Sequence, residues 1–178
     1  MIHPIVTYGN PLLRTPSQEI QQGTKLNLQQ LIVDMFETMH KAKGIGLSAI
    51  QIGVPLRIFV IEAEEKEQNF YFKGVFINPV ITKSWGSWLP MTEGCLSIPG
   101  LTAQVNRPDN IELTWYDENW EKHTQEFRDM KARIIQHEYD HLEGVIFPDK
   151  LSGMWADLLE EPLEYIRNND IKVPYLIK

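Results

Sequence analysis

His137 and His141 stand four residues apart in the run QHEYDHLEG, with Glu138 beside the first. On an α-helix, residues i and i+4 lie one above the other, so the two imidazoles can grip one metal ion. Glu138 then sits next to that ion, able to take a proton from a water without being a ligand, which is the division of labour of metal-assisted hydrolysis. A catalytic ion of this kind is held by three protein groups and keeps one position for water. The motif runs on as Leu142-Glu143-Gly144-Val145, so no histidine follows where the longer HExxHxxGxxH signature needs one. Glu160, Glu161 and Glu164 lie at a workable distance downstream but read as the wet face of a final helix. The alternative donor lies upstream at Cys95, the single cysteine, whose thiolate suits zinc or ferrous iron. A lone cysteine is commonly a small packing residue. Cys95, however, lies in TEGCLSIPG, between glycine and proline in an otherwise strand-like stretch, a setting that packing does not require and presentation from a strand edge does.

The elements that must carry these groups are marked by apolar spacing. Leu28, Leu31, Ile32, Met35, Phe36 and Met39 predict an amphipathic helix over residues 27–43, capped by Asn27 and ended by a left-handed Gly44. The run GIGLSAIQIGVP predicts an open loop. RIFVIEA and FYFKGVFINPVI predict strands either side of an exposed acidic turn at 62–69. NIELTWYD and KHTQEFR predict an antiparallel hairpin around 117–120, burying Ile111, Leu113 and Trp115. Residues 129–143 predict the helix bearing the histidines, capped by Asp129 and ended by Gly144, with Met130, Ile134, Ile135 and Leu142 turned to the histidine side. After Leu151 a last helix is expected, interrupted or restarted at Pro162, and then an extended tail.

A chain of 178 residues, 43% hydrophobic, is long enough for one domain with a sizeable core and short for two. Its net charge of −7, with no basic run, argues against a nucleic-acid partner. One cysteine excludes an intrachain disulfide. No basic leader precedes an apolar stretch, and no window approaches the roughly 18 apolar residues of a membrane span, so the expectation is a cytoplasmic protein.

Three blocks then carry a family resemblance: GIGLSAIQ (44–51), EGCLS (93–97) and QHEYDHLEG (136–144). In order and spacing they resemble the bacterial-type peptide deformylases, and HPIVTYGNPLLR is similar to that family's opening. The resemblance implies a single catalytic domain over 1–178 of α+β class, with antiparallel sheets packed around a central metal-binding HExxH helix and a helix toward each terminus. It implies removal of the formyl group from the N-terminal formylmethionine of new proteins, using Fe2+ that Zn2+, Ni2+ or Co2+ can replace, one ion per chain. Residue by residue, it implies Cys95, His137 and His141 as ligands, Glu138 as general acid and base, and the Leu96 N–H with the Gln51 amide polarising the formyl oxygen. Gly46 and Ile45 would hold the substrate backbone as an added strand. Glu93, Gly94, Met91 and Ile134 complete the expected substrate-binding set. The implied partners are N-formylmethionyl nascent peptides, with the ribosome exit region as a further candidate, and neither nucleic acid nor membrane. Ser48 stands where alanine is frequent, Thr102 stands where some members carry a substrate-facing arginine, and the C-terminal stretch matches the long basic helix of other members poorly. Two competing readings are an HExxH zinc endopeptidase using a glutamate as third ligand, and a non-catalytic metal-binding homologue.

Overall fold

The computed structural model describes residues 1–168 and 171–178. Alternating and continuous apolar runs build five strands: β1 (Gly46–Ser48), β2 (Ile58–Glu65), β3 (Phe70–Cys95), β4 (Ile98–Tyr116) and β5 (Lys122–Arg128). They pair antiparallel in chain order, which short hairpin connections allow. Among the described residues three helices accompany the sheet: α1 (Leu28–Lys41), α2 (Asp129–Leu142) and α3 (Met154–Asn168).

β2 shows why both faces of the sheet are covered. Ile58 and Val60 pack with Met35, Met39 and other residues of α1, whereas Phe59 and Ile61 point the other way, toward Ala132, Ile135 and Leu142 of α2. The helix bearing the histidines therefore has its apolar stripe anchored in core. Truncating its fully buried Ile135 to alanine would cost about 2–5 kcal/mol. A third cluster joins Ile98, Ala103 and Val105 of β4 to Phe147 and to Leu159, Leu163 and Ile166 of α3.

Several local expectations need correction. α1 starts as predicted, with the Asn27 side chain accepting from Gln30 N at 3.1 Å. Its left-handed terminator, though, is Lys43 (φ 58°) and not Gly44. A Cβ at Gly44 would lie 2.7 Å from Leu96 Cδ1, so that terminal methyl would have to shift. Asp129 does not cap α2: with φ 51° it makes the corner out of β5, a backbone region that aspartate tolerates better than most residues. α3 continues through Pro162, since burial of Leu159, Leu163 and Ile166 outweighs the lost backbone hydrogen bond. The expected open loop after Gly44 contains β1 and a 3-10 turn at Ala49–Ile52.

Candidate metal centre and its cavity

β3 ends at Cys95, which pairs with Ile98 across a two-residue turn of Leu96 and Ser97. The strand register slips between Gly94 and Cys95, and a slip of this kind re-aims a side chain. Cys95 Sγ lies 3.3 Å from His141 Nε2. The ligand atoms offered by Cys95, His137 and His141 all fall within 4.8 Å of one another. Glu160, Glu161 and Glu164 sit exposed on α3, and Glu164 pairs with Arg167 at 2.6 Å. Of the two donor sets open from sequence, the fold gathers the one containing sulfur.

Behind the trio lies a buried ionic lattice. Glu93 Oε1 accepts from Arg107 Nε at 2.7 Å and Arg133 Nη1 at 2.8 Å, and Oε2 accepts from Arg107 Nη2 at 2.9 Å and faces His137 Nδ1 at 2.9 Å. Arg107 also reaches Asp140 at 2.5 Å, and Arg133 donates to the carbonyls of Val105 and Leu89. Burial would push the Glu93 carboxyl up, but Arg107 and then His137 hold it well below the usual carboxylate range. Glu93 lines the cavity, yet its carboxylate is committed to orienting His137, whose Nε2 is thereby turned toward the centre.

Burial alone would lower the pKa of His137; hydrogen bonds to Cys95 and Glu93 outweigh that, and it is raised to about 10. His141 moves the opposite way, lowered by burial and by the neighbouring His137 charge. The cluster thus favours one positive charge, and the buried Nδ1 of His141 has no hydrogen-bond partner among the described residues. A thiolate and two imidazoles in such surroundings fit a divalent transition-metal ion.

Glu138, on the same helix, is buried, and burial raises its pKa. Its carboxylate accepts from Ser48 Oγ at 2.8 Å. It crowds against Gly46, where a Cβ would lie 2.8 Å from Glu138 Cδ. Glycine at 46 is what lets the carboxylate reach this position. Gln51 Oε1 accepts from Ser48 N at 2.8 Å, so its Nε2 must aim the other way, 3.5 Å from Cys95 Sγ and 3.2 Å from Ser97 Oγ.

These groups border a cavity of about 440 Å³. β1 is the outermost strand, and its free edge lies along that cavity. Ile45 O accepts from Glu62 N at 3.0 Å and so faces β2; by strand alternation the N–H and C=O of Gly46 face the free edge. Ile45, 51% exposed, offers a side chain there and not its backbone. Gly94, Leu96 and Ile134 also line the cavity, as does Thr102, paired with Gly94. Met91 does not: it pairs with Val105, roughly 13 Å of extended chain short of Cys95, and Met130 from the first turn of α2 lines the cavity instead.

Sequence reasoning passed over Arg107 and Arg133, whose only signal was a charge at an inward position of an apolar pattern. It saw Ser48 only as a departure from a pattern. Tyr175 gave no signal at all. Its ring lines the cavity, and its hydroxyl donates to Leu96 O at 2.8 Å, with its pKa pushed up to about 12 by burial and by nearby Cys95.

A family model described as polypeptide deformylase matches residues 2–156. The peptide deformylase of Cytophaga hutchinsonii is 46% identical over 100% of this chain and 97% of its own length. That of Karelsulcia muelleri is 49% identical over 85% of this chain and 79% of its own. Among solved structures, Plasmodium falciparum peptide deformylase in complex with an inhibitor aligns with a TM-score of 0.83 and 35% identity, covering 93% of this chain and 99% of that one. Peptide deformylase from Ehrlichia chaffeensis aligns at 0.84 and 32% identity, covering 92% and 96%.

Proposed function

The chain belongs to the polypeptide deformylase family, a metal-dependent family of α+β enzymes that hydrolyse the formyl amide of N-formylmethionyl peptides, and from that premise we propose how its own residues do so. Cys95, His137 and His141 would hold one divalent ion, which when bound supplies Lewis acidity at the formyl oxygen and a water acidic enough to lose a proton near neutral pH. The peptide lies along the free edge of β1, its backbone bonded to Gly46 and its methionine side chain against Ile134 and Met130. The Leu96 N–H and the Gln51 Nε2 donate to the formyl oxygen as it becomes negative. Glu138 receives the proton of the attacking water and delivers it to the departing nitrogen as the C–N bond breaks, leaving formate and a free α-amine. The raised pKa of Glu138 suits a group that must both take and return that proton.

The observation that carries this assignment is the placement of one buried carboxylate beside a sulfur and two imidazoles at the edge of an open strand. A thiolate with two imidazoles accepts ferrous iron or zinc, and we assign iron as the native ion on the family resemblance, so oxygen should inactivate the enzyme. The whole chain acts as one catalytic unit in the cytoplasm; among the described residues no helix is long and apolar enough to cross a membrane. α3 sets Asp157, Glu160, Glu161 and Glu164 against Arg167, an acidic balance that disfavours docking on ribosomal RNA, and we propose no contact with the exit region through it.

The test is anaerobic formate release from formyl-Met-Ala-Ser by the iron and zinc forms. Glu138→Gln is expected to lower kcat by about 10²–10⁴ with metal content unchanged. Unaltered formate release from that variant would overturn the mechanism.

A further inference from the structure

The turn of Leu96 and Ser97 is held from three sides. Gln51 Nε2 donates to Ser97 Oγ, the N-terminal segment donates Tyr8 N to Ser97 O at 2.8 Å, and the C-terminal tail donates Tyr175 Oη to Leu96 O at 2.8 Å. The tail is itself fixed: Ile5 N donates to Leu176 O at 2.8 Å, Lys178 N donates to Ile5 O at 2.9 Å, and Lys178 Nζ reaches Ile52 O at 3.2 Å. Val6 N donates to Gln51 O at 2.7 Å, so the same N-terminal segment steadies tail, turn and amide together. Tyr175 lies outside residues 2–156, the part of the chain that the family model matches.

We propose that Tyr175 is a positioning residue for deformylation: its hydroxyl locks the Leu96 carbonyl, so that the Leu96 N–H and the Cys95 sulfur face the same point. This inference rests on the assignment of the Leu96 N–H as a donor to the formyl oxygen. A small rotation of the peptide planes of this turn would move donor and sulfur relative to each other. Burial and the neighbouring sulfur keep the Tyr175 hydroxyl protonated far above neutrality, so it remains a donor throughout the working range. Its ring, also a wall of the cavity, has a separable effect on substrate affinity.

Tyr175→Phe and Tyr175→Ala would be prepared in the full chain, loaded with cobalt as a spectroscopic probe and assayed on formyl-Met-Ala-Ser. Tyr175→Phe is expected to lower kcat about five- to twentyfold with KM within about twofold, an unchanged melting temperature and a shifted thiolate-to-cobalt absorption band. Tyr175→Ala is expected to raise KM as well, because the wall is lost. Wild-type kcat and an unshifted band in Tyr175→Phe would overturn the proposal. So would a lower kcat accompanied by a lower melting temperature and an unshifted band, which marks a merely structural role. The band is read without substrate, so failure of the deformylase reading, seen as absent formate release by the wild type, is distinguishable from failure of this one.

Discussion

The β3–β4 and β4–β5 hairpins each end beside three groups able to hold a metal: Cys95, His137 and His141 at the first, Asp117, Glu121 and His123 at the second. In both, the candidate atoms fall within 4.8 Å of one another. At the outer turn the donors are spent on the turn itself. Asp117 Oδ1 accepts from the N–H groups of Asn119 and Glu121, Oδ2 pairs with His123 Nε2 at 2.9 Å, and Glu121 is exposed. At the inner turn the donors come from β3 and α2, and the positions are imposed by Gln51, Tyr8, Tyr175 and the Glu93 lattice. Proximity is therefore a weak criterion. What separates the two is whether the rest of the protein restrains the ligands while leaving their coordinating atoms uncommitted.

The sharpest way to break this contrast is to delete one ligand at each turn. Cys95→Ala is expected to lose bound metal and to lower formate release about a thousandfold, equivalent to ~4 kcal/mol of barrier. His123→Ala should keep one ion per chain and activity within about twofold, with metal content read by elemental analysis. Next in size is the lattice behind the inner turn. Arg107→Met takes the two-pronged partner from buried Glu93, leaving it Arg133 and His137, and leaves Asp140 only Lys150, which should cost about 3 kcal/mol in urea unfolding, whereas exposed pairs at the outer turn are each worth under about 1 kcal/mol. The smallest effect is a pH dependence confined to the outer turn. Partial burial pushes the Asp117 carboxyl up, but His123 and the turn amides outweigh it and its pKa is lowered. The support it gives is thus complete above the ordinary carboxylate pKa of about 3.9 and is lost as pH falls through the lower folded value. The amide resonances of Asn119 and Glu121 should shift over that acid range, and in Asp117→Asn they should stay flat.

Much of this arrangement was legible in the chain because it follows from local periodicity. His137 and His141 share a face by spacing alone, and glycine with proline around Cys95 marked a sulfur presented and not packed, though from a strand edge and not from the hairpin end where it lies. What escaped was fixed by tertiary geometry. The left-handed cap falls on Lys43, one residue before Gly44, and Asp129 turns the corner between β5 and α2. Met91 and Met130 are equally apolar, and only the register of β3 against β4 excludes the first from the cavity. Tyr175 stands about eighty residues from the turn it bonds, joined to it by no pattern, only by the tail pairing with Ile5.

The free edge of β1 is three residues long and presents essentially the amide and carbonyl of one glycine. Those partners exist in every polypeptide, whatever its side chains. A peptide bonded to them, as proposed above, would be recognised with little regard to the composition of its body, and discrimination would fall to its very tip, the formyl group and the first side chain.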